Sequence, residues 1–362
     1  MTPHARKAKK AKGQRRKLKA QNQKRKLNTV KAYASGPDAL TARIFKSEHV
    51  EADDGETKSE KAETKGHEAK RKFGSIIARH VENHNLDEPD RIILRRLLGY
   101  GPLDNVMLAS DTELRRMAGV FLAEALIRLK QETPDLHFSF WTFTNDRGNT
   151  SDREPTIDLR GLHSLVDQVF RRLKLPSFSV AELQGLGNHP RQGSGRTIMA
   201  HVHAITWSTR PLDCKGIMEG YNSTTVWRNS LGADPVNVRP ITFTDGDLSH
   251  VAYYMLKPPY DVKMLEERKN GICLKSTEKG YKPEFAMRIF EGLSQLEIST
   301  IVRSTYDGVK LRTEWQRRLT YWHKSRIEWS NKKLVVVANE EFWGRIRSKK
   351  RRSTYLPYRI IR

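Results

Sequence analysis

Residues 198–207 read Ile198-Met199-Ala200-His201-Val202-His203-Ala204-Ile205-Thr206-Trp207, a strand-like run with histidines two positions apart. In a β-strand the side chains at i and i+2 leave the same face, so both imidazoles emerge side by side from a rigid backbone. That is how two nitrogen donors are held on one divalent metal. The spacing alone is a weak signal, because a solvated sheet face carrying two histidines gives the same pattern. What stands on either side decides its weight.

Immediately upstream, Phe178-Ser179-Val180-Ala181-Glu182-Leu183 reads as a second strand, joined to the first by the polar, glycine-rich connector Gly187 to Arg196. A symmetric hairpin that sets Val180 opposite His203 also sets Glu182 opposite His201, and directly opposed residues share a face. Two imidazoles and one carboxylate then converge. Such a mixed nitrogen–oxygen set with open positions suits Mg²⁺ or Mn²⁺ holding a phosphate oxygen better than a closed structural zinc. A slip of one residue would turn Glu182 to the other face. A rival pair, His80 and His84, is one helical turn apart, but Val81 follows His80 where the zinc-protease signature needs glutamate, so an exposed helix face accounts for it.

Further out, His137 to Thr144 is an alternating aromatic strand, Leu159 to Leu173 has a helical apolar period, and Val236 to Phe243 is a fourth strand. Thr244-Asp245-Gly246-Asp247 offers an N-cap to a helix from about Leu248 to Lys257, which Pro258-Pro259 ends. Strand, helix, hairpin, strand, helix is an α+β plan with helices on one face of an antiparallel sheet. The last helix carries Tyr253, Tyr254 and Lys257, and residues three and four apart on a helix are neighbours. A phenol, with a reference pKa of about 10, is a poor nucleophile at neutral pH, but a nearby ammonium favours the phenolate. Tyrosine attack on phosphorus gives a covalent phosphotyrosine. The alternative is two half-buried aromatics beside a lysine whose stem packs on them.

An aromatic strand, a carboxylate, His-hydrophobic-His and Tyr-x-x-Lys on a helix, in that order over residues 136–260, resemble the HUH endonucleases, in particular the rolling-circle replication initiators of plasmids and phages. The resemblance implies an RRM-like antiparallel sheet with a metal site on its open face. It implies site-specific nicking and rejoining of single-stranded origin DNA, leaving a 5′-phosphotyrosine and a 3′-hydroxyl primer. By position, His201 and His203 match the histidine ligands, Glu182 the upstream polar ligand, and Tyr254 with Lys257 the Tyr-x-x-Lys pair. Tyr253 stays open as a second nucleophile, because it reads as Tyr-x-x-x-Lys. A relaxase or single-tyrosine transposase of the same superfamily is an alternative. The position of the tyrosine, downstream of the histidines, favours the initiator order.

Composition sets the partner. The chain has 362 residues, 66 Lys+Arg against 42 Asp+Glu, and a formal net charge of +24. A polyanion, nucleic acid first, is the expected partner. A basic RRM-like binding protein with no catalysis is the reading from another class. Trp141 and Trp207 are candidate stacking platforms, and Arg196 and Arg210 candidate phosphate contacts. A membrane partner is not expected, since the longest aliphatic stretch, Leu334 to Ala338, is far too short to span. No secretory signal is expected either, since no apolar run follows the basic start. Two cysteines without a Cys-x-x-Cys spacing fit a reducing bacterial cytoplasm. No Gly-x-x-x-x-Gly-Lys-Ser/Thr loop occurs, so a separate helicase, and then a host polymerase, is the expected company. The sequence divides into a basic disordered arm and charged linker (1–70), a helical region (71–134), the endonuclease-like unit (135–260) and a helical C-terminal region with a basic tail (261–362).

Overall fold

The structure is a computed structural model that describes residues 106–330, with short gaps at 188, 190–194, 231–233, 242–244, 260, 269–270 and 281–282. A few positions between 74 and 99, Trp343 and residues 359–361 are also described. The basic arm, His80, His84 and most of the C-terminal tail lie outside the described residues.

In chain order the elements are α1 (Thr112–Glu132), β1 (His137–Ser151), β2 (Thr156–Asp158), α2 (Leu159–Leu173), β3 (Ser177–Gly187), β4 (Arg196–Ser208), α3 (Cys214–Asn222), β5 (Val236–Pro240), α4 (Asp245–Leu256), β6 (Asp261–Arg268), β7 (Gly271–Gly280), α5 (Pro283–Ser294), β8 (Val302–Thr305), α6 (Gly308–Ser330) and β9 (Arg359–Ile361). This is an α+β fold. Its main sheet has seven strands in the order β5-β1-β4-β3-β6-β7, with β8 also on β3. The short strands β2 and β9 pair separately.

The sheet is mixed, not purely antiparallel as the strand pattern suggested. β1–β4, β1–β5, β3–β4 and β3–β8 are antiparallel, but β6 runs parallel to β3 where Gly185 to Gly187 meet Val262 to Met264. Strands also occur in 261–280, where only helices were expected. Val262 and Met264, then Ile272 and Leu274, alternate at period 2 in sequence, a strand pattern hidden among charged residues.

The hairpin register is the symmetric one: Val180 stands opposite His203 and Glu182 opposite His201. That parity sorts the central strands into two faces. Trp141 and Phe143 of β1 point to α2, where both meet the Phe170 ring edge-on at 5.3 and 5.5 Å. Asp158 caps that helix by accepting from the Gly161 amide, and Leu162, Val166, Val169 and Phe170 make its buried stripe. The other face carries Phe140, Thr142, Phe178, Val180, Glu182 and both histidines. It is covered by α4 and α6, with Trp315 of α6 edge-on to Phe178 at 5.4 Å. Helices therefore pack on both faces, where one was expected. The reason is that β3 and β4 are apolar on both sides and buried along almost their whole length.

Behind this layer, α1 braces α4 and α6. Asp111 accepts from the amides of Glu113 and Leu114 at its start. The Trp315 indole N–H donates to the Ala118 carbonyl, 2.9 Å away, and Gly119 leaves room for the Tyr253 ring, which an added Cβ would approach to 3.1 Å. No helix among the described residues is long and apolar enough to cross a membrane.

Candidate metal centre

Glu182, His201 and His203 come together because β3 and β4 hold them on one face at adjacent register positions. Among the described residues they form the one group of three or more potential ligands whose donor atoms converge. The two Nε2 atoms are 3.0 Å apart, and each lies 3.4 Å from Glu182 Oε2. Two donors each about 2.1 Å from one ion, at angles between about 90° and 109°, stand about 3.0–3.4 Å apart. The three donors have that spacing. Glu182 Oε2 is buried and accepts no well-formed hydrogen bond among the described residues, and a buried carboxylate oxygen left so is costly. A divalent cation fits the donor set and relieves that cost.

The neighbours fix the donors. Thr142 Oγ1 of β1 lies 3.1 Å from His203 Nδ1. When Nδ1 carries the proton and donates to Thr142, the Nε2 lone pair faces the carboxylate. Burial lowers the His203 pKa to about 4, only partly opposed by Glu182, so the ring is neutral at physiological pH. The Phe140 ring stacks on His203 at 5.3 Å. β1 also bulges beside His201: Thr144 pairs with His201 and Asn149 with Met199, so four residues of β1 stand where β4 has Ala200 alone. Gly148 sits in that bulge, and a Cβ there would come within 2.1 Å of the Ala200 carbonyl oxygen.

The helix α4 supplies the rest. Lys257 Nζ is 3.1 Å from Glu182 Oε1 and 4.4 Å from the centre of the Tyr254 ring. The Tyr254 ring lies 5.0 Å from that of His203 and edge-on to Phe140 at 5.8 Å. Tyr253 points the other way, buried against Gly119 of α1. Burial alone would raise the Glu182 pKa, but the Lys257 ammonium and the two imidazoles outweigh it and hold the carboxyl well below its ordinary range. The end of α4 is clamped by Arg115 of α1, a fully buried side chain. Its Nη1 donates to the carbonyls of Leu256 and Lys257, both at 3.3 Å, and its Nε donates to the Ala109 carbonyl at 2.7 Å. A cation at a helix C-terminus satisfies the last carbonyls and matches the helix dipole.

The expected DNA-contact residues are dispersed. Trp141 has no exposed surface, because it sits at odd parity on β1 and faces α2. Trp207 shares the histidine face but lies at the far end of β4, buried against Phe138 and lining a cavity between α1 and α6. Neither indole offers a face to a base in this conformation. Arg196 opens β4, near Asp152 and Glu284 and over the Phe285 ring, whereas Arg210 follows its end and is exposed. The two therefore stand at opposite ends of the sheet. The histidine face is not open either: Glu182, His201 and His203 are each at most 4% exposed, while their neighbours Tyr254 and Lys257 are half-buried.

Sequence reasoning missed Thr142 and Arg115. Thr142 was within reach, since it shares the parity of Phe140 opposite His203. Arg115 left no signal, because only tertiary packing brings it to α4.

No protein-family model, curated protein or solved structure matches this chain. Fold and site together define an α+β protein with a buried His-His-Glu cluster suited to a metal ion.

Proposed function

We propose that this protein is a metal-dependent nicking and joining enzyme for single-stranded DNA, with Tyr254 as nucleophile, acting as a rolling-circle replication initiator. The observation that carries the reading is the placement of the Tyr254 ring, packed on His203 and under the Lys257 ammonium, beside a donor set with metal-ligand spacing. Glu182, His201 and His203 would hold Mg²⁺ or Mn²⁺, which would stabilise negative charge on the phosphate.

In the reaction the Tyr254 oxygen bonds to phosphorus and the bond from phosphorus to the 3′-oxygen breaks. The phenol loses a proton and the departing 3′-oxygen gains one, leaving a 5′-phosphotyrosine and a 3′-hydroxyl. Lys257 favours the phenolate by its charge. Thr142 and Glu182 keep the His203 ring oriented, and Arg115 keeps the end of α4 in place. The high positive charge supports a polyanionic substrate.

The test is incubation with a single-stranded origin oligonucleotide and Mn²⁺, followed by denaturing electrophoresis. A slow-migrating covalent adduct that EDTA abolishes is expected. The near-complete burial of the three donors favours one other reading, a nucleic-acid-binding protein in which the cluster is structural. That reading predicts a complex that survives native gels but never becomes covalent.

A further inference from the structure

Counting charge around the donor set gives an imbalance. Glu182 is the one carboxylate that the described residues bring to the two imidazoles. It is already ion-paired with Lys257 at 3.1 Å, and it interacts electrostatically with the buried Arg115. One Arg115 nitrogen, Nη2, is buried with no hydrogen-bond partner among the described residues. Burial lowers the Arg115 pKa only to about 10, so the guanidinium keeps its charge at neutral pH. Leaving the imidazoles aside, one negative charge, on Glu182, faces two positive ones, on Lys257 and Arg115, before any ion arrives. A divalent cation would add two more positive charges in a buried setting, where charges are weakly screened.

We infer that metal occupancy of this site is conditional on an anion: Lys257 and Arg115 hold the empty centre net positive, so Mg²⁺ or Mn²⁺ binds firmly only together with a phosphate oxyanion. The inference rests on the metal site proposed above and deepens it. Lys257 takes on two tasks. Without substrate its ammonium competes with the metal for Glu182; with substrate it turns to the phosphate and releases the carboxylate. Coupling of this kind is reciprocal, so the metal tightens phosphate binding by the same factor that phosphate tightens metal binding. The outcome is an enzyme that carries little metal when idle and loads it with the strand to be cut.

The experiment measures Mn²⁺ affinity of the full chain by the paramagnetic signal of free Mn²⁺, with no activity readout. Three arms are compared: protein alone, protein with inorganic phosphate, and protein with a single-stranded oligonucleotide. Mn²⁺ affinity is expected to rise at least tenfold with the oligonucleotide. Lys257→Met, which removes a charge and no donor, is expected to bind Mn²⁺ several-fold tighter than wild type without any anion and to lose most of the coupling. Arg115→Met is expected to act in the same direction. Because Arg115 also clamps α4, its result counts only when circular dichroism shows native folding, and Lys257→Met decides where it does not.

Equal Mn²⁺ affinity in all three arms overturns the inference, as does a Lys257→Met variant that binds Mn²⁺ no better than wild type. Coupling to inorganic phosphate without coupling to the oligonucleotide upholds the inference and counts against DNA as the substrate. Absence of Mn²⁺ binding in every arm removes the metal site itself, and the inference with it.

Discussion

Tyr253 and Tyr254 are adjacent in sequence but about 100° apart around the axis of α4, and their surroundings differ accordingly. One ring fills the space that Gly119 leaves, and the other meets His203. Tyr254→Phe is therefore expected to abolish the covalent DNA adduct, and Tyr253→Phe to retain it on denaturing gels; the reverse pattern would move the nucleophile. Thr142→Val removes the partner of His203 Nδ1. Mn²⁺ affinity, measured with oligonucleotide present, should fall by about 10–100-fold, with Thr142→Ser restoring most of it. Away from the centre, His163 of α2 is buried, and burial holds its pKa at about 4 against an ordinary 6.5. A neutral buried imidazole stabilises the fold above pH 6.5, and that contribution is lost as pH falls toward 4. Urea unfolding at pH 7 and pH 4.5 should show wild type losing about 2–3 kcal/mol more than His163→Leu does.

At the scale of elements, the hairpin of β3 and β4 was readable because strand parity is a rule of the backbone. Glu182, His201 and His203 follow from it once the connector is taken as symmetric. The covering of the histidine face was not readable. Parity tells which residues share a face but not which helix lies over it, and Phe178 and Val180 are as consistent with a sandwiched sheet as with a half-open one. The strands β6 and β7 were obscured by the charged residues interleaved in their sequence, and the clamp of Arg115 on α4 joins residues far apart in the chain. The bulge of β1 provides a direct test of how the centre is shaped. Gly148→Ala would force a methyl group onto the Ala200 carbonyl. The variant should lose on the order of 2 kcal/mol of stability in thermal or urea unfolding and bind Mn²⁺ more weakly, since Ala200 precedes His201.

Over the whole molecule, the net charge of +24 makes DNA affinity a salt-dependent quantity. Binding to a single-stranded oligonucleotide should weaken by about 10²–10³-fold between 50 and 200 mM salt if roughly six phosphates are contacted. A flat salt dependence in fluorescence anisotropy would argue against a polyanionic partner. The outer edge of β3 has a separate consequence. Its first half is paired by β8 and its last residues by β6, both encoded well after His203. A nascent chain that has emerged only as far as the end of α4 therefore holds every proposed ligand and the tyrosine, yet presents an unmatched, apolar strand margin to its surroundings. Such a chain is prone to clump on the ribosome or in a truncated expression product. Completion of that edge has to wait for Val302 to Thr305, which makes it a late, long-range event in folding.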